Sequence, residues 1–228
     1  MTQFMSNSLF FGAAISLIAY EAGLLLKRKF KMAIFNPLLI AIIAVIAVLC
    51  LLHIDYDTYN QSGQYISYLL TPATVCLAVT LYQQMELLKK NLKAVIIGIV
   101  SGVLASLVSV LILAKLFRLS HEQYVTLLPK SITTAIGMGV SEELGGIVTI
   151  TVAVIIIAGV LGNMIAETVI KLARIEEPIA KGLALGTSAH AIGTAKAMEL
   201  GEIEGCLAVI GIVFIGCTIG SIGKQAQI

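Results

Sequence analysis

Charge is scarce in this chain. Only 12% of its 228 residues are Asp, Glu, Lys or Arg, 58% are apolar, and mean hydropathy is +0.99. Soluble domains run at about 25% charged and roughly 45–50% apolar. A soluble enzyme is therefore excluded, and so are a disordered chain, a coiled coil and collagen. A net charge of +2 is too small and too scattered to engage nucleic acid. Cysteine is sparse too: Cys50, Cys76, Cys206 and Cys217 lie in apolar runs without CxxC or Cys/His spacing, which leaves no basis for a metal site or a disulfide. No basic stretch precedes the first apolar run, so no cleaved signal peptide is expected. What remains is an all-α polytopic membrane protein, with no cofactor expected.

A helix needs about 20 apolar residues to cross a ~30 Å hydrocarbon core. Ser6–Leu26, Ala33–Ile54, Tyr65–Met85, Val95–Ala114, Gly146–Ala166 and Gly205–Gly223 meet or approach that length, the first interrupted only by Glu21. Ser131–Ser141 and Gly182–Ala195 are uncharged but too short, rich in Gly, Ser and Thr, and read as re-entrant or broken helices. Lysine and arginine set the orientation. The cluster Lys27, Arg28, Lys29 and Lys31 belongs in the cytoplasm, which puts the N-terminus outside. The loop Asp55 to Gln64, with neither Lys nor Arg, then falls outside, and Lys89, Lys90 and Lys93 inside. Lys171, Arg174 and Lys181 are cytoplasmic only if Ser131–Ser141 does not cross. Six spans plus two broken segments satisfy the rule.

The chain also repeats itself. A shift of 56 residues superposes Lys115, Leu116 and Arg118 on Lys171, Leu172 and Arg174, Ala135-Ile136-Gly137 on Ala191-Ile192-Gly193, and Glu143-Leu144-Gly145 on Glu199-Leu200-Gly201. Over positions 115–147 there are 11 identities in 33, where roughly 3 would arise by chance. With one crossing helix and one broken segment each, two such units in tandem sit in opposite orientations. Inverted repeats whose interrupted helices meet near the midplane are a plan of secondary transporters. The expected organisation is a scaffold at 1–94 and a transport unit at 95–228, with repeat A at 95–150, repeat B at 151–206 and a final helix at 205–223.

The first broken segment holds Pro129, Lys130, Ser131, Thr133 and Thr134. Pro129 interrupts a helix, the hydroxyls are natural N-caps, and free N–H groups at a new helix start suit an anion. Lys130 adds positive charge. The plainer reading is a snorkelling lysine and hydroxyls bonded to their own backbone. The second segment holds Gly186, Thr187, Ser188, His190, Gly193, Thr194 and Lys196. The glycines let backbone approach a ligand, and His190 could bond a substrate or pass a proton. Ser188 and His190 lack a GxSxG turn and a third member, so hydrolysis is not expected. Among the carboxylates, Glu142, Glu143 and Glu199 are candidates for ion coupling, the last two at equivalent repeat positions. Glu21 and Glu167, in or near spans, are weaker ones.

At these residues the sequence resembles LrgB/CidB-type membrane proteins. The resemblance rests on Pro129-Lys130-Ser131-x-Thr133-Thr134, on Ser141-Glu142-x-x-Gly145-Gly146, and on Pro178-Ile179-Ala180-x-Gly182-x-Ala184-x-Gly186-Thr187-x-x-His190-x-x-Gly193-Thr194-Ala195, continuing through Glu199. It covers most of the chain from about Tyr65 on. Ala135 stands where the family often has Pro, and Lys196 where it has Arg; lysine keeps the charge but loses the planar two-pronged contact with a carboxylate. The resemblance implies two roles: an antiholin-like partner of a small LrgA/CidA-type protein that modulates murein hydrolases and lysis, or transport of glycolate, glycerate or pyruvate. The residues favour the second. The expectation is a carrier in the bacterial inner membrane, not an enzyme, for small 2-hydroxy or 2-oxo monocarboxylates. An LrgA/CidA-like partner, the lipid bilayer and a second copy in a dimer are the expected associates.

Overall fold

The computed structural model describes residues 10–30 and 35–225. Among them there is helix and no strand: α1 Phe11–Phe30, α2 Pro37–Leu52, α3 Tyr56–Ser67, α4 Leu70–Gln83, α5 Met85–Lys90, α6 Leu92–Leu116, α7 His121–Leu127, α8 Thr134–Glu143, α9 Val148–Leu172, α10 Pro178–Leu200 and α11 Glu202–Gln225. Among the described residues, four helical stretches are long and apolar enough to cross a membrane: Tyr56–Gln83, Leu92–Leu116, Val148–Leu172 and Glu202–Ile219. Pro37–Leu52 is apolar but shorter, at 16 residues. The chain is thus an all-α, multi-pass membrane protein. The expected spans Ser6–Leu26 and Ala33–Ile54 begin on residues outside those described, as does Lys31. The chain divides into two compact units, between Cys76 and Leu77.

In the first unit α1 packs on α2 and α3. Gly23 abuts the backbone of Pro37, and the Gly12 N–H donates to Ser62 Oγ at 2.6 Å. Ser16 Oγ and Tyr59 OH share a hydrogen bond of 2.8 Å. These contacts correct the reading of Asp55 to Gln64 as a loop. The segment is the polar helix α3, held by the face that carries Tyr59 and Ser62. Asn36 caps α2, its Oδ1 accepting from Leu38 N at 2.9 Å and Leu39 N at 3.3 Å. Asn36→Ala is expected to cost about 1 kcal/mol, seen as a lower thermal midpoint that Asn36→Asp largely restores.

The second unit is built around its last helix. Cys206, Leu207, Ile210, Ile215 and Ile219 of α11 are buried against Val95, Ile99 and Val103 of α6, Ile132 and Val140 around α8, and Leu183 of α10. Small residues allow this closeness, as in membrane helix pairs generally. Gly182 and Gly186 present bare backbone to Glu204 and Ala208.

The 56-residue offset reappears in the geometry. Helices α6 and α9 are each 25 residues long, about 38 Å, and begin 56 positions apart. Each ends in the same Schellman closure: Leu119 N donates to Ala114 O at 2.9 Å and Ile175 N to Ile170 O at 3.0 Å. The turning residues, Arg118 and Arg174, have φ of +51° and +52°. Helix α8 starts at Thr134, and α10 breaks at Ala189 and His190, where φ and ψ leave the helical region. Thr134 and His190 are again 56 apart.

Candidate functional site: two broken helices against shared supports

The first break is a pair of tight turns. Lys130 N donates to Leu127 O and Ile132 N to Pro129 O, both at 3.2 Å, before Thr133 opens α8 as its N-cap. The Thr133 hydroxyl does not cap the helix, so the first N–H groups of α8 lack a side-chain acceptor. Ser131, 1% exposed, accepts from Ser106 Oγ of α6 and from Lys130 Nζ, both at 3.0 Å. Lys130 is half-buried, and no carboxylate among the described residues pairs with it.

At the second break the chain reverses out of helix through Ala189 (φ −126°, ψ 18°) and His190 (φ 42°, ψ −135°). A non-glycine residue there stores about 1–3 kcal/mol and persists only when its surroundings impose it. Those surroundings lie on α9. His190 Nε2–H donates to the Ile155 carbonyl at 2.9 Å, and the ring lies on Gly159, where a Cβ would come within 2.6 Å of Nε2. Gly162 receives the Ala189 methyl, and Asn163 Nδ2 donates to Ile192 O at 3.2 Å.

The same two helices support both breaks. On α6, Gly102 takes Thr187 while Ser106, one turn along, binds Ser131. On α9, the Ile155 carbonyl holds His190 while its side chain lies against Gly137 of α8. Both broken segments thus rest on neighbouring turns of α6 and on Ile155 of α9.

The candidate residues divide. Thr187 and Ser188 donate to their own helix, to Leu183 O at 2.7 Å and Ala184 O at 2.6 Å, and Thr194 donates to His190 O at 3.2 Å. The close backbone approach expected at Gly186 exists, but Ala208 makes it. Gly193 lets the second arm of α10 close on Leu185 and Ala189. Lys196, whose side chain is 11% exposed, meets Glu167 at 2.7 Å and Glu199 at 3.1 Å. Its charge is balanced inside the protein, unlike that of Lys130. Glu142 and Glu143 are exposed, and Glu143 lines a cavity of about 400 Å³ between α8 and α11. Removing Lys196 takes the nearest cation from two half-exposed carboxylates, Glu167 keeping Lys171 at 3.7 Å. Lys196→Met is expected to cost about 1–2 kcal/mol, less than a fully buried pair, and Glu167→Gln added to it should recover part of the loss in thermal unfolding.

Sequence reasoning missed Ser106, Gly159 and the Ile155 carbonyl. Asn163, a lone amide in an apolar span, was the one visible signal. The Ser141-Glu142-x-x-Gly145-Gly146 motif is largely architectural. Ser141 shares a 2.7 Å hydrogen bond with Thr151, Gly145 takes φ +76° in the turn, and Gly146 leaves room for the Ser141 hydroxyl.

Together these features define a polytopic all-α membrane protein with two broken helical segments, at Thr134 and His190, 56 residues apart. The pattern of the LrgB-like family matches residues 16–222, and the chain belongs to that family. It is 39% identical over 208 residues to the antiholin-like protein LrgB of Bacillus mycoides (strain KBAB4), covering 91% of this chain and 90% of that one. Antiholin-like LrgB proteins of Bacillus cereus (strain B4264) and Bacillus anthracis (strain CDC 684 / NRRL 3495) are each 38% identical over the same shares. No solved structure matches.

Proposed function

We propose that this protein carries small 2-hydroxy or 2-oxo monocarboxylates, such as glycolate, glycerate or pyruvate, across the bacterial cytoplasmic membrane by alternating access. The supporting observation is Lys130: a half-buried ammonium beside Ser131, at the start of α8, with no carboxylate of the protein against it. A single uncompensated cation beside helix N–H groups suits a single carboxylate. His190 at the second break faces the remainder of the molecule. The two repeats lie inverted, and the N-terminus is outside, with Lys27, Arg28 and Lys29 in the cytoplasm. A second copy and an LrgA/CidA-like protein are its associates.

The names of the relatives favour a second reading, an antiholin-like regulator of murein hydrolases working with such a partner. One experiment separates them. Purified protein in liposomes is loaded with unlabelled glycolate or pyruvate, and counterflow of the labelled acid is measured. Saturable counterflow is expected. Its absence, both alone and with an LrgA-like protein added, would transfer the assignment to the regulatory role.

A further inference from the structure

Where the end of α9, both ends of α10 and the start of α11 come together, the second unit holds a cavity of about 540 Å³. Lys171 and Arg174 reach it from the end of α9 and the turn after it, and Lys181 from the start of α10. Glu176 lines it from the connection between those helices, and Glu204 from the first turn of α11. Opposite charges thus share one space without joining. Arg174, Lys181, Glu176 and Glu204 form no ion pair with one another or with any other described residue. Glu167, which also lines the cavity, is already held by Lys196 at 2.7 Å. Glu204 is only 8% exposed, and a carboxylate so far out of water is costly unless a counter-charge reaches it. The rest of the lining is apolar, at Ile170, Ile175 and Leu200.

A space between separated charges of both signs fits a ligand that carries both. Its position narrows the choice. At about 38 Å, α9 outreaches a ~30 Å hydrocarbon core, so its last turn and the Arg174 that follows stand among lipid headgroups. A phosphate there suits the two-pronged contact of a guanidinium and the point charges of lysines. The carboxylates, for their part, call for N–H donors. A quaternary ammonium has none and is recognised by aromatic rings, and none of the residues lining the cavity among those described is aromatic. An anionic headgroup would leave Glu204 without a counter-charge. We propose that this cavity binds the headgroup of a phospholipid ending in a primary ammonium, a phosphoethanolamine, with Arg174, Lys181 and Lys171 on the phosphate and with Glu204 and Glu176 accepting from the ammonium. The apolar part of the lining suits the glycerol and the first methylenes of the chains.

The test uses the full chain, purified in detergent, stripped of co-purified lipid, and titrated with phosphatidylethanolamine, phosphatidylcholine and phosphatidylglycerol of identical chains. Native mass spectrometry counts the bound lipid, and the thermal midpoint reads the stabilisation that binding confers. Phosphatidylethanolamine is expected to bind about tenfold more tightly than either of the others, within reach of one hydrogen bond to a charged group. Glu204→Gln keeps the shape and removes the charge, so it should erase that preference while phosphatidylglycerol binds at least as well as before. Lys181→Gln should weaken all three lipids, by about fivefold each. Glu202→Gln, the same change two residues earlier and outside the lining, should alter neither affinity nor preference. Glycerophosphoethanolamine, which has the headgroup but no chains, is expected to bind far more weakly than the lipid. Its binding equally well would make this a site for a soluble zwitterion and overturn the lipid assignment. Equal affinity for the three lipids, tightest binding of either of the other two, or a preference that survives Glu204→Gln overturns the inference. The wild-type comparison needs no variant, so it decides even where a variant fails to fold, and every outcome leaves the carrier reading untouched.

Discussion

A leucine at position 186 is expected to leave no correctly assembled protein. The three atoms nearest a Cβ at Gly186 all belong to the backbone of Ala208, with Cα at 2.7 Å and the carbonyl carbon at 2.8 Å. Backbone of a packed helix cannot swing aside, so α10 and α11 must part. Over-packing typically costs about 1–3 kcal/mol, and more when only backbone can move, against a total stability of about 5–15 kcal/mol. The yield of monodisperse protein after extraction and its thermal midpoint are the readouts. Gly186→Ala should fall in the same direction by less. Ala208→Gly should not rescue either variant, because the obstructing atoms remain. Gly139 is the control: a Cβ there meets nothing within 4 Å, so Gly139→Ala should be neutral or, in mid-helix, slightly stabilising.

On the proposed carrier function, Lys130→Met is expected to abolish transport without unfolding the protein. The ammonium touches Ser131 and has no ion-pair partner among the described residues, so its loss strands no carboxylate. Truncating one side of a buried charge pair costs about 2–5 kcal/mol, here in binding of the anion, or roughly 30- to several-thousand-fold in KM. Lys130→Arg keeps the charge and should retain part of the flux. The contrast with Lys196 carries the argument: the same substitution there should lower the thermal midpoint. Equal uptake by Lys130→Met and wild type would remove the first break from the binding site.

Much of the second unit was legible. Apolar runs of span length mark α6 and α9 because a helix in lipid must be apolar over its whole length. The first break was legible from Pro129, and the second from Gly and polar residues too closely spaced for a plain span. The repeat identities sit where the fold repeats: Lys115 to Arg118 on the closure of α6, Ala135 to Gly137 in the first turn of α8. The rest hid for definite reasons. Helix α3 is polar when taken by itself, and its contacts with Phe10, Gly12 and Ser16 lie on residues far away in the sequence. Lys196 reads as a free cation because Glu167 lies 29 positions away, on another helix. A carbonyl such as that of Ile155 has no signature at all, since every residue carries one.

The position of α11 bears on how the protein is made. This helix, the one on which α6, α8 and α10 converge, leaves the ribosome after all of them. Until it enters the bilayer, Gly182 and Gly186 lack the backbone they fit against, and the first arm of α10 has its contacts with α6, at Gly98 and Gly102, without those with α11. The core of the second unit is therefore closed last, by the helix that is made last.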